Sequence, residues 1–164
     1  MTEAFAYRGM REVKGRRHSL NIVNWLKELG AWWRDDETPW CGTFVAHCLK
    51  STNRGVPKHW YRAKAYEKYG TLLSAPAYGC IGVMSRRGGG HVCFVIGETK
   101  DGKRLVVIGG NQNDSVCVTS YPRSRFTAFV WASRDDGTLS VPYEYRYQLP
   151  VYDQHNLNKV VSEA

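Results

Sequence analysis

The sequence predicts an α+β domain in which N-terminal helices pack on an antiparallel sheet of about five strands. Two observations carry this. Apolar residues recur at helical spacing in the first half of the 164-residue chain, and short apolar runs separated by turn sequences fill the second half. The composition, 43% hydrophobic and 13% aromatic with six Trp, supplies ample core for one domain and excludes global disorder.

The first predicted helix spans residues 19–29, SLNIVNWLKEL. Leu20, Val23, Leu26 and Leu29 form its stripe, Ile22 and Trp25 widen it, and Gly30 stops it. A second starts at TPWCGTFVAHC, with Thr38 as N-cap, Pro39 at the first helical position, and Trp40, Phe44, Val45, Cys48 and Leu49 on the apolar side. A third covers 60–69. The strands expected are 80–86, 91–97, 104–109, 116–121 and 126–132, set apart by RRGGG, TKDGK, GGNQNDS and YPRS. These bounds divide the chain into a basic N-terminal arm (1–18), a body (19–132) and a C-terminal extension (133–164) packed on the body or partly mobile.

Five cysteines with no C-x-x-C pair argue against a disulfide framework and for free thiols in a reducing compartment. No apolar run reaches the length of a membrane span, and the basic N-terminus has no apolar segment of signal-peptide type. The expectation is therefore a protein made in a cytoplasm. A net charge of +8 favours a polyanionic partner: nucleic acid, acidic lipid or an anionic cell wall.

One thiol stands out. Cys41 falls in the first turn of the second helix, where unpaired N–H groups and the helix dipole favour an anion, so its pKa is expected to be depressed. Gly42 leaves room for a substrate to approach. The alternative is a small buried residue at a helix start, the reading that also suits Cys48, Cys80, Cys93 and Cys117. A nucleophilic thiol needs a base, and the base needs an orienting group. His91 opens an apolar strand directly after three glycines. His47, on the same helix as Cys41 but six residues on, is a poor partner. His18, His59 and His155 sit in polar surroundings and read as surface residues. If strands 91–97 and 104–109 form a hairpin, Asn111 returns beside His91 and can hold its ring, although Gly-Gly-Asn is also ordinary turn chemistry.

A helix-starting Pro-Trp-Cys, then Gly-His-Val at a strand start, then Gly-Gly-Asn-Gln at a strand end resembles the NlpC/P60 and CHAP superfamily of papain-like cysteine peptidases and amidases, above all its small phage-encoded endolysins. The stretches concerned are DDETPWCGTFVAHCL (35–49), the segment around 60–70, PAYGCIGVMSRRGGGHVCFVIG (76–97) and LVVIGGNQNDSVCV (105–118). The resemblance spans about residues 19–132. It implies a papain-like fold with Cys41 as nucleophile, His91 as general base and then acid, and Asn111 orienting His91. Gln112 is a second polar candidate, and Trp40, Gly42 and Asp36 would line the cleft. Two positions where relatives often carry an acid are glycine here, Gly82 and Gly109.

The implied activity is hydrolysis of an amide or peptide bond of bacterial peptidoglycan, without metal or cofactor, by a monomer that meets the wall after release from the host cytoplasm. No nucleic-acid partner is expected. The competing readings are a wall-binding or virion-associated protein of the same fold, a basic nucleic-acid module built on HWYRAKAYEKYG and PRSRF, and a zinc site from Cys41, His47, Cys48 and His91. The C-x5-H-C spacing of the last fits no common zinc pattern.

Overall fold

A computed structural model describes residues 1–13, 18–36, 38–153 and 157. Residues 14–17 of the basic arm, Glu37, His155 and most of the last ten residues lie outside that set. Three α-helices, α1 (Thr2–Ala6), α2 (Leu20–Glu28) and α3 (Cys41–Ser51), precede the sheet, and a 3-10 segment, Ala63–Lys68, replaces the third helix expected over 60–69. The seven strands are β1 (Thr71–Leu73), β2 (Ile81–Arg86), β3 (Gly89–Thr99), β4 (Arg104–Gly109), β5 (Cys117–Pro122), β6 (Phe126–Trp131) and β7 (Val151–Tyr152). Their order is β1-β6-β2-β3-β4-β5, antiparallel throughout, and β7 adds to β3 in parallel. The α+β class thus holds, with seven strands rather than five. The two extra, β1 and β7, are three and two residues long, too short to show periodicity.

The sheet is apolar on both faces, as the unbroken run Val92–Ile96 requires, since alternate side chains point to opposite sides. Val92, Phe94 and Ile96 meet α2 and α3 through Trp25, Phe44 and Val45. Cys93 and Val95 turn to a smaller cluster with Cys80, Met84 and Val107. In α2 the buried residues are Ile22, Trp25 and Leu26, while Leu20 is 78% exposed, so the apolar stripe runs one residue round from the one expected. Each such side chain withdrawn from water contributes on the order of 2 kcal/mol.

Two features of the ladder prepare the site. The pairing of β3 with β4 ends at Phe94↔Ile108, so residues 89–93 have β2 as their only strand neighbour among the described residues. α3 packs on the neighbouring stretch of β3 through Phe44 and Phe94. The second feature is a strap: Gly9 N–H donates to Val116 O, Val116 N–H to Met10 O, and Glu12 N–H to Asp114 O. The N-terminal segment therefore braces the loop that follows β4. At the other end of the chain, Tyr78 and Arg146 exchange backbone and side-chain hydrogen bonds, and Val151 and Tyr152 pair with Glu98 and Thr99 of β3.

Candidate active site

Cys41 is the first residue of α3. Thr38 is not its cap: Asp35 Oδ1 accepts both the Thr38 N–H (2.8 Å) and its hydroxyl (2.7 Å), and the helix begins two residues later than expected, after Trp40. The thiol still lies in the first turn, where the backbone N–H groups of Val92 and Gly42 act to lower its pKa. Its pKa is nevertheless raised. Burial is the largest influence and outweighs these donors and the nearby Arg86 guanidinium. The expected depression is corrected: tertiary burial overrides the helix dipole.

His91 is buried at the start of β3, and its Nε2 lies 3.0 Å from Gln112 Oε1. Gln112 is itself locked, because its Nε2 donates to Cys117 O at 2.6 Å. The amide oxygen is thus the end turned to the ring, which places the imidazole proton on Nε2 and leaves the Nδ1 lone pair free. Burial, then Arg86 and Arg125, push the His91 pKa down to about 4, against the opposing bond from Gln112. The resting pair is a neutral thiol and a neutral imidazole. Among the described residues the two form no direct hydrogen bond: Cys41 belongs to the helix-side cluster, while the ring of His91, which pairs with Met84 in the ladder, faces Gln112 and Tyr121.

The orienting contact expected from Asn111 comes from its neighbour. Asn111 has φ 56°, a left-handed turn conformation, and it is Gln112 whose side chain bonds the ring. Gly109 makes this possible. A Cβ there would lie 3.0 Å from Gln112 Oε1 and 2.9 Å from Cys93 Cβ, so the amide occupies the space a side chain at 109 would need.

Three residues expected to line the cleft do other work. Trp40 is 1% exposed, packs on Trp25, and donates from Nε1 to Glu12 at 3.1 Å. Asp36 is fully buried and binds Val13 N–H (2.9 Å), Ser19 N–H (2.8 Å) and His18 Nδ1 (2.8 Å). Burial alone would raise its pKa; these bonds lower it on balance. It is an anchor for the chain around residues 13–19, and His18 is its partner rather than a solvated side chain. Gly42 admits the 60–61 backbone instead of a substrate: a Cβ there would sit 2.4 Å from Trp60 O.

His47 has no part in the pair, being held by Tyr7, Glu3 and Glu28. Among the described residues no group of three His, Cys, Asp or Glu side chains is placed to hold a metal ion. Sequence reasoning missed Tyr121, whose ring centroid is 5.8 Å from that of His91 and whose pKa burial raises to about 12, so it stays a phenol. It also missed Arg86 and Arg125. PRSRF did single out Arg125, as a nucleic-acid feature; its guanidinium instead covers Tyr121 at 5.4 Å.

Comparison with known families gives one result. Residues 33–111 match the model described as CHAP domain. This segment contains Cys41 and His91 and ends at Asn111. No curated protein matches the chain.

Proposed function

From the match of residues 33–111 to the CHAP domain model we propose that the chain is a bacteriolytic hydrolase, endolysin-like, that cuts an amide or peptide bond of the peptidoglycan stem with Cys41 as nucleophile. CHAP domains are typically cysteine- and histidine-dependent peptidoglycan hydrolases, and the match supports that reaction class. The observation that carries the residue assignment is the His91–Gln112 bond, which fixes the ring at Nε2 and leaves Nδ1 free.

In this reading Gln112 fixes the ring so that Nδ1 takes the thiol proton as sulfur attacks the carbonyl carbon. The first N–H groups of α3 have no backbone acceptor within the helix and can receive the developing oxyanion. His91 then returns its proton to the leaving amine, and water resolves the thioester. Because the resting pair is neutral, proton transfer accompanies attack rather than preceding it. The basic surface draws the enzyme to an anionic wall, which it reaches after release from the host cytoplasm.

Digestion of purified peptidoglycan by wild type and Cys41→Ala, with products identified by mass spectrometry, tests this. Expected are stem fragments from the wild type alone, whose masses distinguish amidase from endopeptidase. Fragments that persist with Cys41→Ala, or none from the wild type, overturn it.

A further inference from the structure

Two cations stand at the site that the hydrolytic chemistry does not use. Arg86 ends β2, where it pairs with Gly89, two steps along the ladder from Met84↔His91. Arg125 comes from a separate element, the 3-10 turn between β5 and β6, and lies over Tyr121, which in turn neighbours His91. Both side chains are exposed. Among the described residues neither forms an ion pair, although cations nearby do: Lys64 with Glu67, and Arg123 with Glu98. Both act on His91, and Arg86 acts on Cys41 as well.

For a base this placement is adverse, because each guanidinium opposes the imidazolium that must form. Two guanidiniums without an ion-pair partner among the described residues, carried by independent elements beside His91, have the chemistry of an anion receptor: rigid forks that match a carboxylate.

The geometry points to Arg86 and Arg125 as the specificity determinants for a substrate that carries a free carboxylate beside the scissile amide. This deepens the hydrolase reading and rests on it. The docked carboxylate offsets the positive charge around His91 as its Nδ1 accepts the thiol proton, so the correct substrate improves the base that attacks it. A substrate with a carboxamide at that position brings no such charge.

Two probes separate these cases: the N-acetylated tripeptide L-Ala–γ-D-Glu–L-Lys with a free glutamyl α-carboxylate, and the same peptide with the α-carboxamide. Calorimetry on the Cys41→Ala protein measures binding without turnover. The carboxylate form is expected to bind about tenfold tighter or more, the scale of one hydrogen bond to a charged group. Adding Arg86→Gln and Arg125→Gln brings the two peptides to parity, whereas Arg86→Lys with Arg125→Lys retains part of the preference. Equal binding, no detectable binding of either peptide, or a preference that survives both glutamines overturns the assignment. Hydrolysis by the wild type is scored separately. A carboxylate preference in binding, with neither this peptide nor peptidoglycan cleaved, sinks the hydrolase reading and leaves the carboxylate site standing.

Discussion

Two buried histidines lie close to α3, and they are held in opposite ways. His47, within the helix, has both ring nitrogens engaged: Nδ1 with Glu28 (3.2 Å), Nε2 with Tyr7 (3.0 Å) and Glu3 (3.4 Å), and its ring stacks on Trp25 at 4.7 Å. It ties α1 and α2 to α3. Among the described residues the His91 ring has one hydrogen-bond partner, a neutral amide, and two arginines nearby in place of carboxylates. A ring with both nitrogens bonded is a clamp, whereas a ring anchored at one nitrogen keeps a lone pair for chemistry. The partner set, not burial, separates the clamped histidine from the one proposed to react.

The largest expected effect breaks that contrast most directly. His91→Ala lowers hydrolysis by about 10³-fold, within the range of general base catalysis, and spares the fold. His47→Gln keeps turnover within a few-fold but lowers stability by about 1–3 kcal/mol, since buried donors and acceptors lose their partner. Kinetics on peptidoglycan alongside denaturant unfolding measure both. A folded His47→Gln protein without activity would abolish the distinction.

Next is a pH dependence specific to His91. Its pKa is about 4 in the folded protein and about 6.5 in an unfolded chain. Between these values the unfolded state binds a proton that the folded state refuses, so stability falls as pH drops through the window and this histidine contributes no loss above it. The full effect is on the order of 3 kcal/mol. Asp36, whose pKa is lowered, adds its own loss in a more acidic range, as pH falls below the usual carboxylate value and through its folded one. Urea unfolding of wild type and His91→Gln at pH 7 and pH 4.5 isolates the histidine: the wild type should lose more. Parallel losses in the two proteins would show that His91 does not titrate with folding.

What could be read from the sequence divides along the same physical line. Runs such as HVCFVIG and RLVVIG announce their strands because burial on both faces demands uninterrupted apolar residues. Cys41 and His91 sit at element starts, which local punctuation marks. The reach of a side chain is less visible. Thr38 has the composition of a cap, yet Asp35 captures it; Asp36 and Trp40 flank the thiol in sequence but turn toward Ser19 and Trp25. The Cys41 pKa departs from the helix-start expectation for a related reason. A helix start is a local feature, while the burial that dominates is imposed by strands fifty residues away.

The finest test compares two adjacent amides. Gln112 is bonded at both ends, to His91 and to Cys117 O, inside a loop braced by the N-terminal strap. Gln112→Ala frees the ring to turn, and a misplacement of about 1 Å costs roughly a hundredfold in turnover. Asn111 has its φ of 56° and, among the described residues, no hydrogen bond to the ring. Asn111→Ala therefore costs about 1 kcal/mol of stability, the penalty of a Cβ in the left-handed region, with turnover within a few-fold, and Asn111→Gly recovers that stability. The two substitutions thus move different observables, kcat for one and the unfolding midpoint for the other. If Asn111→Ala instead lowers kcat at unchanged stability while Gln112→Ala does not, the orienting role returns to the asparagine and the loop must rearrange when substrate binds.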